Sequence, residues 1–566
     1  MTTEGTYPFH RGGVSTWCDM LLSQTPSIEF VLYAILMNPF VAQKFRLPAN
    51  VSRLIKVPLW GTEEPSEHLV HIPFSQVYLA KRRTSESVVK AEFLPVFSDL
   101  IRQIFQVEGS EPRVVAQLLQ QMYRYFKEYD YQATFKSEGV WEVFKRIALE
   151  ETGKARDDAV IPSLWDLTES LGWLYRFFVI LNTPVPKVHV THSAAAAFCG
   201  IPCVIAKMEY GAPYLLSEHG VYLREQYIGA GRQRLSRYSK LFLLDLIRMV
   251  ARLSYEFADV VAPVCAFNTR WERQMGVPAD RIRVIYNGVD PAAFASPSHP
   301  QPVRRPTVVC VARVDPIKDI ETLIRAAALV RDSVPEVRFV VYGAPSSQAY
   351  FDRCLSVRSE LHLDQTVVFA GHTADVAAAY RSGDVVALSS ISEGFPYSVI
   401  EAMMSGKPVV ATDVGGVREA LEGCGLVVRP RRPEEMAMAI VKLLKDDRLR
   451  ADLANDARNK ALTYFTISRF VNEYLRVYRD LYDRYARHDT RVSRSRQAVF
   501  THRAYAFVEQ RMWREALVEF GKAVNAFPSS PAVPVLLTEM ARCHNELGQF
   551  EMALLDMEKA ELLANI

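Results

Sequence analysis

Short apolar runs alternate with helical patterns between residues 307 and 430. Most of these runs are apolar throughout, as strands buried on both faces of a parallel sheet must be. Alternation of such strands with helices predicts a doubly wound α/β domain. The predicted strands are Val308 to Val311, Phe339 to Tyr342, Val367 to Phe369, Val385 to Leu388, Val409 to Thr412 and Leu426 to Val428.

The first half of the chain repeats this pattern less regularly and predicts a second Rossmann-like domain. Its first two apolar runs are separated by about 150 residues of mostly helical pattern, so we expect a helical insertion at about residues 60–185. Almost no apolar segment precedes the first glycines, so the central strand is expected to be missing and Met1 to be a doubtful start. The predicted strands are Phe30 to Ile35, Val188 to Thr191, Tyr214 to Ser217, Val260 to Pro263 and Val284 to Tyr286.

The proline-rich segment 296–306 predicts an exposed linker and a hinge between the two domains. We therefore place the first domain at residues 1–295 and the second at residues 305–465. A helix and connector are expected at 466–490. The arginine-rich stretch from Arg484 to Arg503 predicts a solvated connector rather than a binding arm.

The segment 500–566 contains an internal repeat. Residues of similar kind recur 37 positions apart, for example Ala504 with Ala541 and Trp513 with Phe550. Small and aromatic residues at this spacing resemble tetratricopeptide helix pairs. Because about three units are needed to bury a continuous core, we expect the two repeats to pack on a neighbour.

Composition narrows the class of protein. Hydrophobic residues make up 49% and charged residues 23% of the chain, which is typical of a globular protein. A net charge of +3 argues against a nucleic-acid partner, and eight scattered cysteines suit a reducing compartment. No apolar run is long enough to span a membrane, and we interpret the aromatic stretch from Trp173 to Leu181 as a buried helix.

The strongest chemical signal is the segment from Glu393 to Glu401, which directly follows the predicted strand Val385 to Leu388. Proline favours the first turn of a helix, so Pro396 predicts a helix start and leaves Glu393 in the preceding loop. Open α/β sheets bind ligands at that carboxyl edge. Glu401 falls about one turn into the helix, near amides and a dipole that favour a diphosphate.

Two carboxylates so placed can accept hydrogen bonds from a sugar and from a ribose, with the phosphates of a nucleotide sugar between them. The alternative interpretation is two ordinary acids at a helix start, where glutamate is favoured. Arg313 and Lys318 follow the first strand of the second domain, where cations can face a diphosphate. For Lys318 alone, a solvated helix-start lysine is the simpler interpretation.

The first half contributes its own candidates. His219 follows a predicted strand and so lies at the same kind of strand end as Glu393. Gly12 and Gly13 permit close backbone approach in a loop that precedes the first helix. His192 and Asn287, the latter in a generic Asn-Gly turn, are weaker candidates. For either histidine alone, a structural hydrogen-bonding role is the simpler interpretation.

The segments described above, taken in their order along the chain, resemble those of the retaining glycosyltransferases of the GT-B fold. The specific resemblance is to the large fourth family (glycosyl transferases group 1). Glu393 and Glu401 match the family's E-x7-E motif, and the segment from Val414 to Glu419 resembles a second family signature. The segments 4–8, 11–15 and 218–222 resemble the PelF-type branch, whose members build exported polysaccharides. The terminal repeats lie outside the usual pattern of that branch.

This resemblance implies an α/β protein of the GT-B fold, with two Rossmann-like domains facing across a cleft and a C-terminal all-α repeat segment. It implies that the cations stabilise the departing diphosphate and that the histidine contacts the donor across the cleft. The residues implied in catalysis are His219, Arg313, Lys318 and Glu393. The residues implied in donor binding are Gly12, Gly13, Arg313, Lys318, Glu393, Gly394, Phe395 and Glu401.

The implied activity is retaining transfer of a hexosyl unit from a UDP-sugar, with UDP-glucose favoured, to a growing polysaccharide or other glycan. We expect neither a metal nor another cofactor, because no convincing metal-binding constellation is present. Candidate partners are the donor, a glycan acceptor, a membrane-associated synthesis and export complex, and a protein bound by the terminal repeats. The expected location is cytoplasmic, with peripheral association at the inner face of the membrane.

Two other functions remain open from the residues alone. A GT-B sugar-nucleotide epimerase would bind the same donor and isomerise it without an acceptor. A catalytically silent scaffold would use the terminal repeats to recruit an assembly partner. The set Arg313, Lys318, Glu393 and Glu401 argues against the scaffold, since a silent protein needs none of these side chains.

Overall fold

A computed structural model describes residues 1–61, 72–106, 109–154, 160–231, 233–295, 305–528 and 530–564. The chain divides into two compact units. The first comprises Met1–Tyr210 and Tyr214–Tyr478, and the second comprises Gly211–Pro213 and Arg479–Ile566. Most of the expected linker, residues 296–304, lies outside the described residues, so the hinge placement stays a prediction.

The N-terminal sheet is six-stranded and parallel, with the order β3-β2-β1-β4-β5-β6. Its strands are β1 (Thr2–Glu4), β2 (Phe30–Leu36), β3 (Val51–Pro58), β4 (Thr191–Ser193), β5 (Tyr214–Glu218) and β6 (Val260–Pro263). The strand order reverses between β1 and β4. This switch point lies at the centre of the sheet, where doubly wound folds bind their ligands.

The expectation that the central strand is missing was wrong. Strand β1 pairs with β2 on one side and with β4 on the other. Two threonines take the place of apolar residues, and both are buried because their hydroxyl groups are satisfied: Thr2 donates to the carbonyl of Cys199 at 2.6 Å and Thr3 to that of Tyr7 at 2.8 Å. A buried polar residue is tolerated when it is hydrogen-bonded. A prediction from apolar runs alone therefore could not find this strand.

Two other expected strands need correction. The strand expected at Val188 to Thr191 forms at Thr191–Ser193, because only there does the chain run beside β1 and β5. The segment from Val284 to Tyr286 forms no strand, since it lies beside β6 with one isolated bridge, between Val261 and Ile282. Strand β3 was not predicted, because charged residues interrupt it at this edge of the sheet.

The C-terminal sheet is also six-stranded and parallel, with the order β12-β11-β10-β7-β8-β9. Its strands are β7 (Thr307–Val311), β8 (Arg338–Tyr342), β9 (Val367–Gly371), β10 (Val385–Leu388), β11 (Val409–Thr412) and β12 (Leu426–Val428). Every predicted strand of this domain forms within two residues of the expected bounds. The switch point between β7 and β10 places the loops after these two strands side by side.

Helices cover both sheets, and several of them form the expected insertion. In the first half they are α1 (Gly13–Ser23), α2 (Phe74–Arg83), α3 (Glu86–Val88), α4 (Leu94–Phe105), α5 (Pro112–Tyr125), α6 (Tyr131–Phe135), α7 (Glu138–Lys154), α8 (Leu164–Phe177), α9 (Ile201–Tyr210), α10 (Tyr222–Ala230), α11 (Arg237–Phe257) and α12 (Thr269–Gln274). The stretch after α8, residues 178–181, is buried, as expected of a core segment.

In the second half the helices are α13 (Ile320–Ser333), α14 (Gln348–Glu360), α15 (Val376–Arg381), α16 (Tyr397–Met404), α17 (Val417–Leu421), α18 (Pro433–Lys445), α19 (Asp447–Tyr464) and α20 (Ile467–Glu509). Helix α20 runs through the segment expected to be a connector, so this segment is helical, and its role as a connector stays a prediction. Its arginines are good helix formers, which explains why a charge-rich stretch continues the helix.

The second compact unit contains the end of α20 together with α21 (Trp513–Ala526), α22 (Val533–Glu546) and α23 (Phe550–Ala564). The two aromatic residues of the repeat, Trp513 and Phe550, each begin a helix. The paired alanines Ala504 and Ala541 are both buried. The C-terminal segment is therefore helical, and its assignment as a tetratricopeptide-like repeat stays a prediction.

All eight cysteines are buried and unpaired. Within the described ranges, no helix combines the length and the hydropathy that crossing a bilayer requires.

A pair of acids is buried behind the carboxyl edge of β5. Glu218 ends β5 and Glu272 lies on α12, and both side chains are fully buried. The hydroxyl of Tyr255 donates to Glu218 Oε1, whereas neither carboxylate oxygen of Glu272 has a hydrogen-bond partner among the described residues. Burial disfavours the charged form of each carboxyl group, and the neighbouring acid disfavours it further, so a proton on Glu272 is favoured. Burial beside Glu218 therefore raises the pKa of Glu272 well above its ordinary value.

Replacing Glu272 with glutamine is expected to stabilise the protein at alkaline pH. A raised folded-state pKa gives stability that is complete below the unfolded value near 4.5 and is lost as pH rises through the folded value. Wild-type stability should fall from pH 5 to pH 9. Over the same pH range Glu272→Gln should lose less stability. At pH 9 its free energy of unfolding should therefore exceed that of the wild type by about 1–3 kcal/mol. Thermal unfolding at both pH values measures this difference, and Glu29→Gln, at an exposed position, is the control. Parallel pH dependence in all three proteins would contradict the raised pKa of Glu272.

Candidate active site

The loops after β7 and β10 bring two predicted site residues into contact. Glu393 follows β10, and Lys318 ends a short 3-10 turn after β7. Lys318 Nζ lies 2.6 Å from Glu393 Oε1, and the hydroxyl of Ser390 donates to the same oxygen at 2.6 Å. Both charged side chains are mostly buried, with 19% of Lys318 and 12% of Glu393 exposed. Lys318 is therefore part of a site and is not the solvated lysine of the simpler interpretation.

Glycines allow the loop of Glu393 to approach its neighbours closely. A Cβ atom at Gly394 would overlap the carbonyl oxygen of His219 in the N-terminal domain. Gly415 has a φ of 57°, and a Cβ there would overlap the carbonyl oxygen of Glu393. The amide of Gly416 donates to the carbonyl of Gly394 at 2.7 Å. The Gly-Gly pair thus supports the Glu393 loop, which in turn touches the opposite domain.

His219 lies across from this loop, directly after β5. Its ring packs edge-on against Trp17, with 4.5 Å between ring centroids. Burial lowers the pKa of His219 to about 3, so the ring is neutral near pH 7. Its Nε2 atom is buried and has no hydrogen-bond partner among the described residues. A buried polar atom without a partner is costly, and a bound ligand would remove that cost.

Arg313 lies after β7, as predicted, but makes weaker contacts than Lys318. Its nearest acid is Asp315, at 4.0 Å, and 64% of its side chain is exposed. Its guanidinium group is therefore available to an anion. No contact brings it to Glu393, so of the two predicted cations only Lys318 is paired with that carboxylate.

Glu401 lies on α16, eight residues after Glu393, and is held inside the domain. The hydroxyl of Tyr380 donates to Glu401 Oε2 at 2.9 Å. Burial raises the pKa of Glu401 above its ordinary value. The carboxylate that was expected to meet a ribose is thus fixed by a tyrosine from α15, a partner that the sequence motif does not contain.

The glycine loop of the N-terminal domain reaches the same helix. A Cβ atom at Gly13 would lie 3.9 Å from the ring of Tyr397, the first residue of α16, whereas one at Gly12 would meet open space. Asn287 donates its side-chain amide to the carbonyl of Phe395 at 2.9 Å, and Phe395 is buried against Phe465. Gly13 and Asn287 therefore lie beside the segment that begins at Glu393, whereas no contact places Gly12 against it.

His192 has a different environment. Its Nδ1 atom is hydrogen-bonded to the hydroxyl of Tyr478 at 2.7 Å, and its Nε2 atom to that of Ser217 at 2.8 Å. The ring is buried, and both nitrogens are occupied by the protein. These contacts tie α20 to the N-terminal sheet and leave neither nitrogen free for a ligand.

Two contacts between the domains were not foreseen. The carboxylate of Glu419 accepts hydrogen bonds from the amides of Ala266 at 2.9 Å and Phe267 at 3.0 Å. Arg224 donates to the hydroxyl of Ser392, next to Glu393, at 3.1 Å. The only feature of the sequence that pointed to either contact was the position of Glu419 at the end of the segment that contains Gly415 and Gly416. Its partners lie about 150 residues away, which no local pattern reveals.

The arrangement can hold an anionic ligand that also carries hydroxyl groups. Lys318 and Arg313 supply positive charge, Glu393 supplies a hydrogen-bond acceptor, and α16 begins beside them. Across the described ranges, no cluster of three or more histidine, cysteine or acidic side chains has the geometry of a metal site.

Two different protein families match the two sheet domains of this chain. Residues 1–280 match a family described as a domain of unknown function (DUF3492), and residues 305–446 match the glycosyl transferases group 1 family. D-inositol 3-phosphate glycosyltransferases of Nocardia farcinica and Rhodococcus jostii are 31% and 33% identical to this chain. The alignments cover 51% and 53% of this chain and 61% and 62% of these relatives, so the chain spans about three fifths of their length.

Sucrose-phosphate synthase from Thermosynechococcus elongatus has a similar fold, with a TM-score of 0.54 and 18% sequence identity. The alignment covers 85% of this chain and 99% of that protein. Two parallel six-stranded sheets whose ligand-binding edges meet, together with this similarity, define the GT-B fold. Most of the second sheet domain, residues 305–446, is thus similar in sequence to the glycosyl transferases group 1 family.

Proposed function

We propose that the chain is a metal-independent, retaining glycosyltransferase that transfers a hexosyl unit from a UDP-sugar, with UDP-glucose the first candidate, to a growing polysaccharide or other glycan. The observation that carries this proposal is the contact between Lys318 and Glu393 at the carboxyl edge of the C-terminal sheet, beside the loop of His219. The match of residues 305–446 to the glycosyl transferases group 1 family supports it.

In the proposed complex, the donor lies mainly on the C-terminal domain. Lys318 and Arg313 bind the diphosphate, and the carboxylate of Glu393 accepts hydrogen bonds from the transferred sugar. Glu401, fixed by Tyr380, accepts hydrogen bonds from the ribose. The buried Nε2 atom of His219 gains a partner on the donor, which accounts for its otherwise unsatisfied position.

The proposed reaction is a front-face transfer. The bond between the anomeric carbon and the leaving phosphate oxygen breaks, and an acceptor hydroxyl forms a new bond on the same face of the sugar. The hydroxyl proton passes to the departing phosphate oxygen. Lys318, Arg313 and the start of α16 stabilise the charge that develops on the diphosphate, the role that a metal ion has in other transferases.

The pathway is proposed from the resemblance to the PelF-type branch. Polysaccharide synthesis would supply a glycan acceptor and would place the protein at the inner face of the membrane, within a synthesis and export complex. The terminal repeats would then bind a protein of that complex. D-inositol 3-phosphate, which appears in the names of curated relatives, is a further acceptor to assay.

The stereochemistry of the product tests the proposed function. Purified protein is incubated with a UDP-hexose, a panel of glycan acceptors and a chelator, and the new linkage is analysed by NMR. A product with the anomeric configuration of the donor supports retaining, metal-independent transfer. An inverted product, or a requirement for added metal, would contradict it. Isomerised donor without acceptor consumption would identify an epimerase instead.

A further inference from the structure

Glu4 occupies the switch point of the N-terminal sheet. It is the last residue of β1, and β1 pairs with β4 only at Thr2, opposite Ser193. Beyond that pair the two strands separate, so Glu4 stands in the crevice between them. Ligands of doubly wound sheets bind in this crevice, beyond the carboxyl ends of the strands.

The carboxylate of Glu4 is oriented by two donors, one in the 3-10 turn that follows β4 and one at the start of α10, which follows β5. The amide of Cys199 donates to Oε2 at 3.1 Å, and the hydroxyl of Tyr222 donates to Oε1 at 3.2 Å. A carboxylate has about four lone-pair positions, so capacity for further hydrogen bonds remains. Among the described lysines and arginines, none forms an ion pair with Glu4. Burial without a cation raises its pKa to about 7.

Glu4 is connected to the proposed donor site through α10. Its partner Tyr222 begins this helix, three residues after His219. Two residues further on, Arg224 donates to Ser392, which directly precedes Glu393. The crevice at Glu4 therefore adjoins the cleft between the two domains, on the side opposite Lys318 and Glu393.

We propose that Glu4 binds hydroxyl groups of an uncharged sugar acceptor in this crevice, and that it selects against acceptors carrying a phosphate at that position. This inference deepens the proposed function and rests on it. At pH 8, the pH of the binding test, Glu4 is mostly ionised, and an oriented carboxylate without a cation accepts hydrogen bonds from neutral hydroxyl groups and repels an anion. Glu4 is a binding residue in this account, because its carboxylate contacts the acceptor directly.

The alternative is a purely structural role, in which Glu4 only caps the turn at Cys199. Both roles predict some loss of stability in Glu4→Gln. Only the binding role predicts a change in selectivity between neutral and phosphorylated sugars. The matched control is Glu29→Gln, which makes the same substitution at an exposed position at the opposite, amino-terminal edge of the sheet.

The test is direct binding of methyl glucoside, cellobiose and glucose 6-phosphate to the full chain, measured by saturation-transfer NMR in the presence of UDP. We expect wild-type protein and Glu29→Gln to bind the neutral sugars in preference to glucose 6-phosphate. In Glu4→Gln, binding of the neutral sugars should weaken about tenfold and the preference should disappear.

Three results would overturn the inference: no binding of either neutral sugar, equal or tighter binding of glucose 6-phosphate by wild-type protein, or unchanged selectivity in Glu4→Gln. The wild-type comparison needs no variant, so a folding defect in Glu4→Gln does not remove the test. Because binding is measured without turnover, failure here is distinguishable from failure of the proposed function, which would be seen as absence of donor cleavage.

Discussion

Replacing Glu393 with alanine is expected to lower turnover of the nucleotide-sugar donor by at least about 100-fold while the protein remains folded. The substitution removes the acceptor that both Lys318 and Ser390 contact, and with it the proposed hydrogen bonds to the transferred sugar. It also leaves the mostly buried Lys318 without its counter-ion. Because Glu393 lies in a loop at the edge of the sheet, its loss opens no cavity in the hydrophobic core.

Initial rates of donor cleavage measure this effect, and thermal unfolding followed by circular dichroism establishes that the fold persists. Glu360→Ala, an exposed acid at the end of α14, is the matched control and should keep the wild-type rate. A rate within about threefold of wild type in Glu393→Ala would remove Glu393 from the site.

Replacing Gly394 with alanine is expected to lower turnover to a similar extent for a different reason. The new methyl group would overlap the carbonyl oxygen of His219, and a backbone atom cannot rotate away as a flexible side chain can. The two loops must therefore separate. Displacement of catalytic groups by about 1 Å can cost about 100-fold in rate. Donor binding to the C-terminal domain should change much less.

Measuring the rate and, by calorimetry, the binding of UDP separates an effect on turnover from an effect on donor binding. Gly172→Ala is the control, because a Cβ at this position on α8 meets open space. If Gly394→Ala keeps its rate, close approach of the two loops is not needed for turnover. If it loses UDP binding in proportion to the rate, its effect lies within the C-terminal domain.

The sequence predicted the C-terminal domain better than the rest of the chain, and the reason is physical. Strands such as β10 and β11 are buried on both faces, so each appears as an uninterrupted apolar run. Strand β1 is equally central but relies on threonines with satisfied hydroxyl groups. The apolar pattern could not reveal it, because hydrogen bonds rather than hydrophobic residues make its burial tolerable.

The continuation of α20 beyond residue 490 and the edge strand β3 were not predicted, for a related reason. Arg53 and Lys56 of β3 are exposed, and the arginines near the middle of α20 are scattered through a polar segment. Charged residues on an exposed face indicate solvent contact and do not distinguish a connector from a helix or an edge strand. Only the continuity of the backbone hydrogen bonds decides between them.

Within the candidate site, residues that belong to short local motifs could be predicted. Lys318 and Glu393 each lie just after a recognisable strand, and the fold brings them within 2.6 Å. Glu4 and Glu419 could not be predicted in this way. Their partners, Cys199 and the amide of Ala266, are distant in sequence, and the contacts exist only because the strand ends converge.

The proposed function requires the C-terminal domain to hold a nucleotide sugar without a metal ion and to cleave it. The most direct measurement is slow hydrolysis of a panel of UDP-, GDP- and ADP-sugars by the full chain and by Glu393→Ala, with a chelator present. We expect the wild-type protein to cleave one donor selectively, with a UDP-hexose as the first candidate, and Glu393→Ala not to cleave it. Absence of cleavage of every donor by wild-type protein, or equal cleavage by the variant, would contradict it.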